Sequence, residues 1–153
     1  MTINADQVRI WSEQLCTLPA LDFAAAVTAL GLAGTIVASS DDYAVVEPPP
    51  PGAQRLGLSR ENLGDNKGNL ASVEVFPEGT AIPKAALDAR FGGGNALPRV
   101  DFDRPHVVSY RVELAGAPFR VTVNASFADE PGGGGAATKI TLRRDVVRAP
   151  AAR

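Results

Sequence analysis

The chain has 153 residues, with 15 basic and 17 acidic side chains and a formal net charge of −2. That balance excludes a surface built to neutralise the phosphates of a nucleic acid. Hydrophobic residues are 45% and charged residues 21%, the proportions of a chain that folds around a core.

The lone cysteine, Cys16, excludes an internal disulfide and a zinc site of several cysteines. It sits in "EQLCTL" with no cation beside it and reads as a small buried thiol. Arg outnumbers Lys, and Ala, Gly and Pro are abundant, as in a high-GC bacterial genome. The start, "MTINADQVRIW", lacks the basic-then-apolar pattern of a signal peptide. The run "FAAAVTALGLAGTIVA" is broken by glycine and too short to span a bilayer. These features lead to the expectation of a cytoplasmic protein with no membrane partner.

The first predicted helix covers Ala5 to Cys16, with Asn4 as its cap and Val8, Trp11 and Leu15 on one face. Pro19 suits the first turn of a second helix, capped by Thr17, running to Leu30 and stopped by Gly31. "GTIVA" and "YAVVE" flank "SSDD" as a hairpin, which would pair Ala38 with Tyr43 and Ile36 with Val45. Pro48 to Gly52 cannot join a ladder and forms an extended connector. "AQRLGLSR" and "LASVEVFP" follow as strands around "ENLGDNKGN". In the second of them Ala71, Val73 and Val75 face inward.

A third helix starts at Pro83 and stops at Gly92. Val100 and Phe102 alternate with Asp101 and Asp103 in a short strand ended by Pro105. His106 then opens "HVVSYRVEL", which pairs with "FRVTVNASF". Setting Leu114 opposite Phe119 brings Val112 to Val121, Tyr110 to Val123 and Val108 to Ala125. The same register sets Glu113 against Arg120 and Arg111 against Thr122. "TKITLRRDVV" is the last strand, with Ile140 and Leu142 facing in.

Short connections make the sheet antiparallel and the fold class α+β. The expectation is about seven strands with two or three helices on one face, in a single domain over 1–148 with a frayed tail at 149–153. "PALDFAAAVTALGLAG" and "PKAALDARFGGG" each begin with Pro, carry Leu-Asp, end in Gly and precede strands. They divide the domain into helix-plus-meander halves, 1–79 and 80–148. In this order of elements the chain resembles the beta-lactamase-inhibitor-protein type of repeat, itself similar to small outer-membrane assembly lipoproteins. The half-cystines and secretion signal of those families are missing, so the resemblance implies element order and no function.

Few residues point to chemistry. "RFGGGN" follows a helix and lacks the Lys-Ser/Thr of a phosphate loop, and "PGGGGA" reads as a linker or hairpin tip. Asp65, Asn66 and Asn69 echo a calcium loop, but Phe76 stands where its closing carboxylate belongs. Ser59 is not on a strand-to-helix elbow, and Asp41, Asp42 and Glu47 read as solvated loop charges. Asp101 and Asp103 would lie about 7 Å apart on one strand face. With His106 they form the polar cluster of an alternative reading, a small-molecule- or metal-binding protein or enzyme.

No catalytic residue, cofactor or metal site is assigned. Arg143, Arg144 and Arg148 gather near the C-terminus, and Arg111, Arg120, Lys139 and Arg143 share a basic, polar sheet face. The leading expectation is therefore a non-catalytic bacterial protein-interaction domain of inhibitor, immunity or secretion-adaptor type. It would bind a protein partner, acidic in character, through Arg111, Glu113, Arg120, Thr122 and Asn124. A third expectation is a structural component of a larger assembly, which would form a homo-oligomer.

Overall fold

The computed structural model of the protein describes residues 1–99, 104–130 and 135–147. Helix α1, Ala5–Thr17, begins where Asn4 accepts a hydrogen bond from the Gln7 N–H at 2.8 Å. Val8, Trp11, Leu15 and Cys16 form its buried stripe. Trp11 Nε1 donates to the Leu30 carbonyl at 3.0 Å, tying this helix to the end of the next.

Helix α2 spans Phe23–Ala29, shorter than the sequence suggested, and its cap is Asp22, which accepts from the Ala25 N–H at 2.8 Å. Thr17 does not cap it. The Thr17 hydroxyl instead donates back to carbonyls of α1, including Gln14 at 3.2 Å. The Leu18–Pro19 carbonyls are held away from helical pairing by the guanidinium of Arg144, described below.

Four strands follow: β1 Thr35–Ser39, β2 Tyr43–Glu47, β3 Ala53–Arg60 and β4 Leu70–Pro77. Helix α3, Lys84–Phe91, has Pro83 at its cap position and ends at Gly92, whose φ of 78° is one that glycine adopts freely. Four more strands complete the chain: β5 Asn95–Ala96, β6 His106–Val112, β7 Phe119–Phe127 and β8 Lys139–Val146. Residues 100–103, where the Asp101–Asp103 strand was expected, lie outside the described residues.

All eight strands form one antiparallel sheet in the order β1-β2-β3-β4-β8-β7-β6-β5. The fold is α+β, with one strand more than expected because Asn95–Ala96 pairs with Ser109 and Val108. The β6–β7 register is the one that apolar matching requires, with Val112 on Val121, Tyr110 on Val123 and Val108 on Ala125. Beyond it the strand ends, and the Leu114 carbonyl accepts from Ala117 in the turn. The β1–β2 register differs from expectation: Ser39 pairs with Ala44, Ala38 with Val45 and Ile36 with Val46, around a bulge at Val37. The turn is tightened by the Ser40 side chain, which accepts from the Tyr43 N–H at 3.2 Å, leaving Tyr43 on the outer face.

The helices cover one face only. Beneath them Leu56, Leu58, Val73, Val75, Val121, Val123, Ile140 and Leu142 are fully buried and form one core with Trp11, Leu15 and Leu87. Burying such aliphatic side chains stabilises the fold by about 1.5–3 kcal/mol each.

Arg144 shares the inward parity of Ile140 and Leu142 and is 1% exposed. It does not join Arg143 on a basic surface. Its guanidinium lies 3.5 Å from the Phe119 ring centroid and donates to the Pro19 carbonyl at 3.1 Å and to the Leu18 carbonyl. Those carbonyls lie just past α1, where the negative end of the helix dipole compensates a cation. Burial pulls the pKa of Arg144 down to about 10, so it remains charged at neutral pH.

Candidate functional site

The opposite face of the sheet carries no helix. Each strand sends alternate side chains outward, and the register aligns them in rows across the sheet. One row crosses all eight strands: Ala38, Val45, Gly57, Glu74, Thr141, Asn124, Ser109 and Asn95. Apart from Glu74 these side chains are short and uncharged. A neighbouring row runs Tyr43, Ser59, Ser72, Arg143, Thr122 and Arg111. The result is a strip of short side chains, polar from Glu74 to Asn95, with taller side chains along its margin.

Asn124 sits in the long row, and its Oδ1 is buried without a hydrogen-bond partner among the described residues. Buried acceptors are nearly always satisfied, so this orphaned atom is an exception on the outer face. Thr122 is half-buried beside it, and Arg111 and Arg120 are exposed. The structure therefore places Arg111, Arg120, Thr122 and Asn124 on one face. Glu113 lies just past the end of β6, 3.7 Å from Arg111, and on the β8 side the Cα partner of Arg120 is Asp145.

The charge of this face also differs from expectation. Lys139 pairs with Glu74 at 3.2 Å. Arg143 pairs with Glu61 at 2.9 Å and with Asp145 at 3.3 Å. The surface is laced with ion pairs rather than uniformly basic, because strands distant in sequence bring carboxylates to it.

A second group on this face comes from three strands. The Arg55 guanidinium lies 5.6 Å from the Tyr43 ring centroid and 5.8 Å from that of Phe76. Tyr43 leans over Gly57, where any Cβ would overlap its hydroxyl. Burial, with Glu74 close by, raises the Tyr43 pKa and keeps it a neutral phenol.

At the β6–β7 end a cavity of about 690 Å³ opens, lined by Leu97, Pro98, Arg99, Arg104, Pro105, Val107, Ser126 and Lys139. Its walls include both flanks of the Asp101–Asp103 segment; the two aspartates themselves lie outside the described residues. His106 is half-buried on the inward row, opposite Phe127, and a ring nitrogen lies 3.2 Å from Arg99 Nη1. An imidazole accepting from a guanidinium is poorly placed to ligate a cation. Among the described residues no three His, Cys, Asp or Glu side chains gather in a way that could hold a metal.

On the helix side, Cys16 is buried and its Sγ donates to the Val112 carbonyl at 3.5 Å. Burial raises its pKa, so it is a structural thiol. Asp88 accepts from Lys84 at 2.7 Å and from the Tyr110 hydroxyl at 2.7 Å, joining α3 to β6. No helix among the described residues is long and apolar enough to cross a membrane. Comparison with protein-family models, with curated proteins and with solved structures gives no match to this chain.

Proposed function

We propose that this chain is a non-catalytic interaction domain, of inhibitor, immunity or secretion-adaptor type, that holds a partner protein on the bare outer face of its sheet. The observation that carries this reading is the helix-free row from Ala38 to Asn95 on the outer face of the sheet. From Thr141 to Asn95 the short side chains of the row let a partner backbone approach closely. The flanking Arg and Tyr residues are of the types that dominate interface energetics. The mirrored strand order supports reading 1–79 and 80–148 as two helix-plus-meander halves joined at β4 and β8.

The test is partner capture from the native host by the purified protein and by an Arg111→Glu/Arg120→Glu/Asn124→Arg variant. The wild type is expected to retain one specific protein at near-stoichiometric yield. The variant is expected to lose it while its unfolding midpoint stays within about 0.5 kcal/mol of wild type. Equal capture by both would overturn the assignment of this face.

The cavity at the β6–β7 end favours a second reading. Arg99, Arg104, Lys139 and Ser126 line it, a set that suits a small anionic ligand. Thermal-shift screening of the purified protein against small carboxylates and phosphates separates the two readings. Stabilisation lost on Ser126→Trp, with partner capture unaffected, would favour the cavity.

A further inference from the structure

The interaction reading leaves open which part of the face anchors a partner and what chemistry it seeks. Among the outer-face cations of the described residues, Lys139, Arg143 and Arg111 each have a carboxylate within 4.0 Å: Glu74, then Glu61 and Asp145, then Glu113. Arg55 and Arg120 have none. These two differ in what holds them. Arg120 projects from β7 with no ring contact. Arg55 is exposed yet rests against two aromatic faces, Tyr43 at 5.6 Å and Phe76 at 5.8 Å.

Ring contact of this kind steadies a guanidinium through its flat face, and the Tyr43 hydroxyl engages Arg55 at one point of its rim, leaving the other N–H groups to an incoming acceptor. Tyr43 is itself fixed. Its ring occupies the space above Gly57 that a side chain would otherwise fill. Glu74, the nearest carboxylate in the strand register, lies against the Tyr43 hydroxyl and is engaged by Lys139. Arg55 is thus a cation held between two rings, with some of its rotamer entropy already spent and no carboxylate within 4.0 Å among the described residues.

Resting on the proposal that this face docks a protein, we infer that Arg55, seated on Tyr43 and Phe76, is the anchor of the interface and receives a carboxylate of the partner in a two-pronged hydrogen bond. A planar guanidinium sets two parallel N–H donors against the two oxygens of a carboxylate. Pre-ordering reduces the cost of forming the pair. The carboxylate can belong to an Asp or Glu side chain or to a chain terminus; both present the same two oxygens.

The experiment follows the Arg Nε–Hε resonances of the full-length protein at about pH 6 while three peptides are added: acetyl-Gly-Glu-Gly-amide, acetyl-Gly-Gly-Gly with a free carboxylate, and acetyl-Gly-Gln-Gly-amide. Arg55 is expected to shift saturably with a carboxylate peptide, half-saturating on the order of 10 mM as befits one charge-assisted contact. The glutamine peptide is expected to leave it unmoved. Which of the two carboxylate peptides binds more tightly identifies the source. Arg55→Lys keeps the charge but loses the fork and its ring stacking, and the Lys Nζ response is expected to be at least about five-fold weaker.

Shifts spread evenly over Arg55, Arg111, Arg120 and Arg143, or an equal response to glutamine, would overturn the anchor. Loss of partner capture in the Arg111→Glu/Arg120→Glu/Asn124→Arg variant without a carboxylate response at Arg55 removes the anchor and keeps the face. A carboxylate response at Arg55 with capture unaffected by that variant removes the docking reading and leaves Arg55 as a carboxylate site.

Discussion

Arg143 and Arg144 are neighbours in the chain and lie on opposite faces of one sheet. Arg143 stands on the outer face among carboxylates, with a side chain 47% exposed. Arg144 points inward, 1% exposed, with backbone carbonyls and an aromatic ring as its only partners among the described residues. The same side chain is a surface ion-pair member in one place and a structural pin in the other. Parity along the strand decides which. The inner face is specified by packing and punishes change; the outer face is held together by exchangeable polar contacts and is free to serve a partner.

The sharpest way to break that contrast is to remove each arginine in turn. Arg144→Met keeps most of the buried volume but strands the Leu18 and Pro19 carbonyls, so a loss of about 3 kcal/mol is expected. Arg143→Met should cost no more than about 1 kcal/mol, because exposed ion pairs contribute little. Urea unfolding of both variants checks this. Equal losses would mean that the two faces are not energetically distinct.

A smaller effect is expected at Gly57. Gly57→Ala forces Tyr43 off its seat, at a cost of about 1–2 kcal/mol, and frees Arg55. Unfolding midpoints give the cost, and Tyr43 ring resonances report the displacement. A variant with wild-type stability and an unmoved Tyr43 ring would show that the outer-face aromatic cluster is looser than its contacts imply.

The smallest effect concerns pH. Hydrogen bonding to Lys84, and then to Tyr110, lowers the Asp88 pKa below its ordinary value against the opposing pull of burial. A carboxylate depressed in the folded state stabilises the fold fully above its unfolded pKa, and loses that contribution as pH falls through the folded value. Below about pH 4 the protein should therefore weaken, and Asp88→Asn should flatten part of that slope. Urea midpoints measured from neutral pH down to about pH 2.5 test it; an unchanged slope would show that Asp88 contributes nothing to acid sensitivity.

Much of the fold was legible in the sequence. The α1 cap at Asn4, the α3 stop at Gly92 and the β6–β7 register each follow from local rules or from two strands read together. The α2 start was misread because Pro19 looks like a helix opener, while the Arg144 contact that claims its carbonyl comes from the last strand. Arg144 itself was readable in principle. The alternation that turns Ile140 and Leu142 inward extends to it, but its charge suggested a surface. Arg111, Thr122 and Asn124 were placed on the outer face by parity. Tyr43, Arg55 and Phe76 were not brought together, because their meeting depends on the joint register of β2, β3 and β4. The ion pairs that neutralise Lys139 and Arg143 depend on β8 lying next to β4, a neighbour relation that no local pattern encodes.

That neighbour relation also bears on how the chain reaches its native state. Strand β8, made after the other seven described strands, is the one inserted between β4 and β7 at the middle of the sheet. Until it is made, β1–β4 and β5–β7 cannot be joined edge to edge, and both β4 and β7 present an open edge. Making β8 therefore closes a gap rather than extends a rim. Assembly should be slow for a protein of this size, since its decisive pairing joins residues as far apart as Ser72 and Arg143. The nascent chain before that step is exposed to mispairing at two edges, a hazard from which the finished sheet is released.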